Sequence, residues 1–421
     1  MFNKRNFASA VLFSAFVSVF VPQQLIADEN GLRIISILDK ENISEGAIET
    51  VESLIKDGAD VNTVDPDGYT PLMSAAAAGK SEIIKLLLKK GAKINASKNG
   101  FTPLMFAGRS GHREAAKLLI NRGAKINLKN KYKENALHSA AQGMLGDIVI
   151  LLVQKGADIN AKDRDGITPL LLTTKNWLPD ASKLLIKKGA DVNAKDEDGN
   201  TPLLYAAKSS YANVSIGLIN KGAKVNVKDE DGKSPLYFAM EFDLEKLFSK
   251  LIEKGADTNV KTSHDVAPIF YAAQKGLTNN IDTLLKKGAN INDEDKFEKT
   301  ILMVALRNSK TNTAKHLIKK GANVNTIDRD KKTPLLYATQ LGLSDASIVL
   351  INSGADVNVM DKYKETPLIN AAEKGMTSVV KLLIKKGANV NAKDRDGTTA
   401  IDHATQRGHK TIVKVLKATS K

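Results

Sequence analysis

The sequence contains no cysteine. This absence excludes disulfide scaffolds, thiolate zinc sites, iron–sulfur clusters, cysteine nucleophiles and a lipid anchor on an N-terminal cysteine. Aromatic residues make up only 5% of the 421 residues, and there is a single tryptophan. Because so few large side chains are present to fill a deep core, we expect a structure thinner than a globule.

Motifs that carry chemistry are also scarce. None of the six histidines lies in a metalloprotease motif, and His403 and His409 have zinc-like spacing without a second pair. In the recurrent Asp-Xaa-Asp-Gly motifs the glycine stands fourth, whereas a calcium loop needs it sixth. We therefore predict no catalytic residue, no cofactor and no metal site. An enzyme with an unrecognised site in the variable turns is the least favoured alternative.

The first 27 residues have the three regions of a secretory signal peptide. Lys4 and Arg5 precede an apolar run over 7–21, and Ala27 is a small residue suited to cleavage. The run is shorter than the roughly 20 residues that a membrane-spanning helix needs, so an uncleaved anchor is the weaker alternative. We predict cleavage after Ala27 and an exported protein, periplasmic or secreted and bacterial rather than eukaryotic. No later segment is apolar enough to span a bilayer.

Basic residues exceed acidic ones, with a formal net charge of +15 that removal of two basic residues in 1–27 would lower to +13. Such a charge makes nucleic acid, an anionic membrane or an acidic protein conceivable partners. Pairs such as Lys89-Lys90 and Lys385-Lys386 stand at predicted helix C-termini, where positive charge complements the helix dipole. Much of the excess therefore repeats because the helix ends repeat, and we do not expect nucleic acid as the partner.

A period of 33 residues organises the chain after the N-terminal segment. The chain contains two recurrent short sequence motifs, which we call words. The first is Thr-Pro-Leu with its degenerate copies, and the residue at its proline position is the anchor of each repeat. Successive anchors are separated once by 32 and nine times by 33 residues. A second word, Gly-Ala-Xaa-Xaa-Asn, recurs with the same period. Two words in register indicate stacked structural repeats. The eleven anchors are Pro71, Pro103, Ala136, Pro169, Pro202, Pro235, Pro268, Ile301, Pro334, Pro367 and Ala400.

Each word predicts a local structure. Thr70 can cap a helix that begins at Pro71, since proline has no amide hydrogen to leave unpaired there. This short helix breaks at Gly79, and a second helix from about Ser81 ends at Gly91, which can adopt the left-handed conformation. A turn rich in Asp and Gly then leads to the next cap. Because a two-helix unit of this size cannot bury its own apolar face, we predict an all-α solenoid of stacked helix-turn-helix units.

The pattern resembles the ankyrin repeat family, whose repeats open with Thr-Pro-Leu-His and end with Gly-Ala-Asp-Val-Asn. The resemblance covers roughly residues 30–421 and implies an ankyrin solenoid whose helical units are joined by β-hairpin-like turns. Residues 28–62 lack the Thr-Pro word, so we predict a degenerate capping repeat there, followed by eleven repeats over 63–421, the last a C-terminal cap. The family's histidine is present only as His138, so its hydrogen bond to threonine is expected to be mostly absent.

In this family the turns and first helices line a concave groove that binds proteins. Three residues after the anchor, five of eleven repeats carry an aromatic residue, accompanied by basic and amide groups, as at protein-binding hot spots. The rings could instead pack against neighbouring repeats, and Trp177 could be an exposed anchor or could cover an altered turn. The candidate partner-binding residues are Phe106, Arg109, Trp177, Tyr205, Lys208, Phe238, Tyr271, Arg307 and Tyr337.

We therefore expect a monomeric, non-enzymatic scaffold that binds another protein through this groove, with basic groups suited to an acidic partner. The first alternative is an electrostatic binder of anionic surfaces, whether lipid, wall polymer or nucleic acid. High salt should abolish that kind of binding, whereas loss of an aromatic anchor should weaken a protein complex.

Overall fold

The computed structural model describes residues 23–39 and 46–419. These residues form 24 helices, and the predicted all-α repeat fold is confirmed. Residues 1–22 of the predicted signal peptide lie outside the described residues, and the first helix runs across the predicted cleavage position after Ala27. No helix within the described part of the chain has the length and apolar character needed to cross a membrane.

The chain divides into two compact units, residues 1–164 and 165–421. The helices of the first unit are α1 (Gln23–Leu38), α2 (Ala47–Lys56), α3 (Pro71–Ala77), α4 (Ser81–Lys89), α5 (Pro103–Arg109), α6 (Arg113–Asn121), α7 (Ala136–Gln142) and α8 (Gly146–Gln154). The helices of the second unit are α9 (Pro169–Lys175), α10 (Pro179–Lys187), α11 (Pro202–Lys208), α12 (Ala212–Asn220), α13 (Pro235–Glu241), α14 (Glu245–Glu253), α15 (Pro268–Lys275), α16 (Thr278–Lys286), α17 (Ile301–Arg307), α18 (Thr311–Lys319), α19 (Pro334–Gln340), α20 (Ser344–Asn352), α21 (Pro367–Glu373), α22 (Thr377–Lys385), α23 (Ala400–Gln406) and α24 (Lys410–Thr419).

The first helix of each repeat begins where the Thr-Pro word predicts. At α3 the Thr70 hydroxyl accepts a hydrogen bond from the Met73 amide at 3.3 Å, which satisfies one free donor of the helix end. At α7 the cap is Asn135, whose Oδ1 lies 2.7 Å from Nδ1 of His138, and both side chains are buried. The one histidine that matches the family's opening word thus forms a hydrogen bond with its cap.

Like helices stack on like helices within each unit. In the first unit α3 contacts α1 and α5, and α4 contacts α2 and α6; in the second, α11 contacts α9 and α13, and α12 contacts α10 and α14. The apolar faces lie between successive repeats, where Leu87, Leu119 and Leu218 are fully buried. Burial of one such leucine stabilises the fold by about 1.5–3 kcal/mol.

In both units, asparagines that end the Gly-Ala word join a repeat to its successor. In the first unit Asn62 Nδ2 donates to the Gly91 carbonyl at 3.2 Å, and its Oδ1 accepts from the Lys93 amide at 2.8 Å. In the second unit Asn193 makes the same two bonds to the residues 29 and 31 positions later. We call this pair of hydrogen bonds the asparagine bridge. It supplies partners for main-chain groups just beyond the helix end.

Candidate functional site

Two tyrosines of the aromatic column, which stands three residues after the anchor, form hydrogen bonds with the preceding turn in the second unit. The Tyr205 hydroxyl donates to Asp196 Oδ2 at 2.6 Å, and the Tyr337 hydroxyl donates to Asp328 Oδ2 at 2.6 Å. Burial, and after it the neighbouring carboxylate, raise the pKa of both tyrosines above the ordinary value. Since the same aspartates accept main-chain amides of the turn, each tyrosine fixes its helix to that turn.

Three of the candidate partner-binding aromatic residues are buried. Phe238 and Tyr271 are each 4% exposed and Tyr337 is 8% exposed. The Tyr271 ring lies 4.7 Å from that of Phe248, and its hydroxyl donates to Asp243 Oδ1 at 2.9 Å. Of the two alternatives left open by the sequence, packing against neighbouring side chains applies to these three rings. Whether they contribute to partner binding stays a prediction.

The remaining candidates of the second unit are accessible but belong to three different repeats. Lys208 and Arg307 are exposed in the last turns of α11 and α17. Trp177 is 65% exposed and adopts a φ of 62° in the turn between α9 and α10. Tyr205 is half-buried, with the Lys175 ammonium 5.6 Å from its ring centroid. Their roles in binding stay predictions.

The first unit brings Phe106 and Arg109 together in a cavity of about 280 Å³. The distances between ring centroids are 5.5 Å for Tyr69 and Phe106, 5.7 Å for Phe101 and Phe106, and 6.0 Å for Phe101 and Tyr132. We call this site the aromatic–basic cavity. The other residues that line it are Tyr69, Lys98, Asn99, Phe101, Lys131 and Tyr132.

Cationic groups lie over the rings of this cavity. The Lys98 ammonium is 3.6 Å from the Tyr69 ring centroid, and the Lys131 ammonium is 5.1 Å from that of Tyr132. These distances are within the range of cation–π attraction. The rings of Tyr69, Phe101 and Phe106 are half-buried, and Tyr132 is 42% exposed. The cavity therefore combines partly desolvated apolar surface with positive charge.

Arg109 is held in place by a buried carboxylate. Its Nη1 lies 3.2 Å from Oε2 of Glu134, which is 5% exposed. The Asn130 amide donates to Oε2 of the same carboxylate at 2.6 Å, and the Gln142 amide donates to Oε1 at 2.6 Å. This network positions the guanidinium 5.8 Å from the Phe101 ring centroid.

The cavity arises from the one spacing of 32 residues. Lys98 and Phe101 exchange both main-chain hydrogen bonds around Asn99 and Gly100, whose φ angles are 53° and 82°. Two positive φ angles in a two-residue loop define a type I′ hairpin, for which Asn-Gly is the favoured sequence. In the longer turn of the second unit, the residue matching Lys98 in this hydrogen-bond pattern is Asp196. Lysine thus replaces the carboxylate that elsewhere holds a tyrosine.

Tyr69, Phe101 and Tyr132 lie outside the aromatic column from which the candidate residues were predicted. These rings stand two or four residues before their anchors, in the turns. The Asn-Gly pair at the short spacing was the signal that could have identified the altered turn.

His403 and His409 have hydrogen-bond partners with structural roles. His403 Nε2 lies 2.7 Å from Asp394 Oδ2, and this contact corresponds to the hydrogen bonds of Tyr205 and Tyr337 to their turn aspartates. His409 Nε2 lies 3.0 Å from the Glu373 carbonyl. Within residues 23–39 and 46–419, no group of three or more His, Cys, Asp or Glu side chains could hold a metal ion.

Comparison with known proteins identifies the family. The family model for ankyrin repeats in three copies matches residues 42–130, 99–163, 137–229, 172–262, 214–295, 269–361 and 348–420. The chain therefore belongs to the ankyrin repeat family, whose repeats generally mediate protein–protein interaction. One similar protein is the human transient receptor potential cation channel subfamily A member 1, 41% identical over 51 residues. That segment is 12% of this chain and only 5% of the channel.

Proposed function

We propose that the protein is a non-enzymatic scaffold that binds another protein through the face formed by the turns and first helices of its repeats. The observation that carries this proposal is the aromatic–basic cavity, in which Phe106 and Arg109 meet three further rings. Membership of the ankyrin family, whose repeats generally bind proteins, supports the same conclusion.

The chemistry of the cavity is that of an interaction hot spot. Aromatic and arginine side chains are enriched at such sites, because aromatic rings bury large areas with few rotatable bonds and the guanidinium offers several hydrogen-bond donors on a planar group. Arg109 is already held by Glu134, so binding would cost little further side-chain entropy. Half-exposed Tyr205 and exposed Lys208 of the second unit offer a secondary contact of the same character.

Affinity capture with the full chain tests the proposal. Proteins retained by the wild type should be lost with the double variant Arg109→Ala/Tyr132→Ala and kept with Lys117→Ala, an exposed change on the second helix α6. Quantitative mass spectrometry of the retained fractions supplies the comparison. Equal retention by all three baits would contradict binding through the turn and first-helix face.

An electrostatic function has one specific observation in its favour. Lys129, Lys131 and Lys133 are all exposed within a single turn of the first unit. Sedimentation with vesicles that contain anionic lipid, at low and high salt, distinguishes this function. Salt-sensitive vesicle binding that survives Tyr132→Ala would favour an anionic surface over a protein partner.

We further propose that the protein acts as a monomer after export across a bacterial inner membrane, with residues 1–27 removed. The support is the basic start, apolar run and small residue of that segment. Cell fractionation, N-terminal sequencing and light scattering of the mature protein test these points. A cytosolic protein that still begins at Met1 would contradict export.

A further inference from the structure

We infer that the aromatic–basic cavity of the first unit binds an acidic linear peptide segment that inserts one aromatic side chain. This inference rests on the proposed function and specifies the chemistry of the partner. It concerns residues 69–132 and the cations around them.

Three cationic side chains line the cavity, and the buried Glu134 is already engaged. Lys98 and Lys131 line it, and the Arg164 guanidinium lies 5.9 Å from the Tyr132 ring centroid. Glu134 is committed to Arg109, Asn130 and Gln142, while Asp65 accepts the main-chain amide of Tyr69 at 2.7 Å within its own turn. Carboxylates of a partner would therefore meet cations around the ring cluster.

The apolar surface favours an inserted ring. Tyr69, Phe101 and Phe106 are half-buried, so part of each ring remains in contact with water. The planes of neighbouring rings are tilted by 48°, 32° and 73° along the series Tyr69, Phe106, Phe101 and Tyr132. Tilted and edge-to-face arrangements are those that aromatic side chains prefer when they pack. A cavity of about 280 Å³ bounded in this way suits a single aromatic side chain.

The same geometry disfavours a single-stranded nucleic acid. Successive bases stack on ring faces that lie open along a strand. Here the Lys98 ammonium covers Tyr69 at 3.6 Å, and Lys131 and Arg164 both approach Tyr132. Because the neighbouring planes are also tilted, the rings do not form a continuous stacking surface.

Binding of defined probes to the full chain tests the inference by fluorescence anisotropy. The probe is a short fluorescein-labelled peptide of glutamate with one central phenylalanine. The comparison probes are the same peptide with central alanine, the lysine peptide with central phenylalanine, and an oligothymidylate of equal length. We expect the glutamate–phenylalanine peptide to bind roughly tenfold more tightly than each of the others.

Two variants in the cavity, each with a matched control in the second unit, locate the peptide-binding site. Tyr132→Ala and Lys131→Gln should weaken binding by roughly tenfold and threefold. Tyr363→Ala and Lys362→Gln are the controls, because Tyr363 is also 42% exposed and the Lys362 ammonium also lies 5.1 Å from its ring centroid. All four side chains are exposed, and unchanged thermal unfolding would exclude a general loss of structure.

The probe measurements test the peptide inference, and affinity capture separates it from the proposed scaffold function. Tighter binding of oligothymidylate, or equal losses in the Tyr132 and Tyr363 variants, would overturn the inference. Absence of peptide binding would overturn it as well. If captured proteins are nevertheless lost with Arg109→Ala/Tyr132→Ala, the proposed scaffold function stands and only the partner chemistry is wrong.

Discussion

One column of the repeat has different environments in the two units. In the first unit, Phe106 contacts two other rings and lines an open cavity, with Lys98 in the preceding turn. In the second unit, Tyr337 is buried and its hydroxyl is bound by Asp328. At Tyr337 a hydroxyl meets the Asp328 carboxylate, whereas Phe106 has no hydroxyl and the preceding turn carries Lys98 in place of an aspartate. The same position therefore serves the fold in one repeat and leaves surface for a partner in another.

The turns differ in charge as well. Three exposed lysines, at 129, 131 and 133, stand in one turn of the first unit, whereas turns of the second unit contain runs such as Asp196-Glu197-Asp198. A net charge of +15 conceals this contrast. The turn of the first unit presents these clustered cations beside a cavity lined by rings.

The largest expected effect tests the hairpin that creates the cavity. A Cβ at Gly100 would lie 2.6 Å from the Asn130 Cα and 2.7 Å from the Lys129 carbonyl oxygen, at a φ of 82°. We expect Gly100→Ala to lower the free energy of unfolding by at least about 3 kcal/mol, because main chain must move. Chemical denaturation measures the loss.

The matching glycine of the second unit is the control for that change. Gly199 has a φ of 77°, and nothing lies within 4 Å of a Cβ built there. Gly199→Ala should therefore cost only the left-handed strain, about 1 kcal/mol. Equal losses at both sites would mean that the close approach of the two turns in the first unit does not constrain the hairpin.

The next effect tests the hydrogen bond between the Tyr337 hydroxyl and Asp328 in the turn before α19. Tyr337→Phe removes a donor from the buried Asp328 carboxylate, and we expect a loss of about 1–2 kcal/mol in the free energy of unfolding. Tyr363→Phe removes a hydroxyl from an exposed ring and should change stability by less than about 0.5 kcal/mol. If both variants unfold alike, the hydroxyl contributes nothing and the column is held by ring packing alone.

Alkaline pH should remove the same contribution. The folded-state pKa of Tyr337 is raised above the tyrosine pKa of about 10 in the unfolded chain. The stability that its hydrogen bond contributes is therefore fully present below about pH 10 and is lost as the pH rises further. The stability difference between wild type and Tyr337→Phe should thus shrink between about pH 8 and about pH 11. Unfolding curves at both values measure it, and a difference that grew would contradict the assigned direction.

The smallest effect concerns Trp177. Its ring is 65% exposed at a φ of 62°, so Trp177→Gly relieves left-handed strain but adds freedom to the unfolded chain. The two terms should nearly cancel, and stability should change by less than about 0.5 kcal/mol. A loss above about 1 kcal/mol would show that the ring covers the turn, as one of the two hypotheses for this residue holds.

The periodic words were sufficient to predict the fold because each acts through a local rule. Thr70 and Pro71 start a helix and Gly91 ends the next one, whatever the neighbouring repeats contain. The exposure of Tyr271 could not be predicted in this way, since it depends on Phe248 and Asp243 in the preceding repeat. The cavity was missed for a similar reason: Tyr69, Phe101 and Tyr132 come from three turns that only the stack brings together.

The asparagine bridge has a consequence for sequence drift. Asn62 and Asn193 reach only main-chain atoms of the following repeat, a carbonyl and an amide. The receiving residue can therefore be lysine, as at Lys224, or aspartate, as at Asp257, without loss of the bond. The asparagine bridge therefore tolerates substitution of the receiving residue, and it tolerates duplication or exchange of whole repeats during evolution, provided that the asparagine is kept.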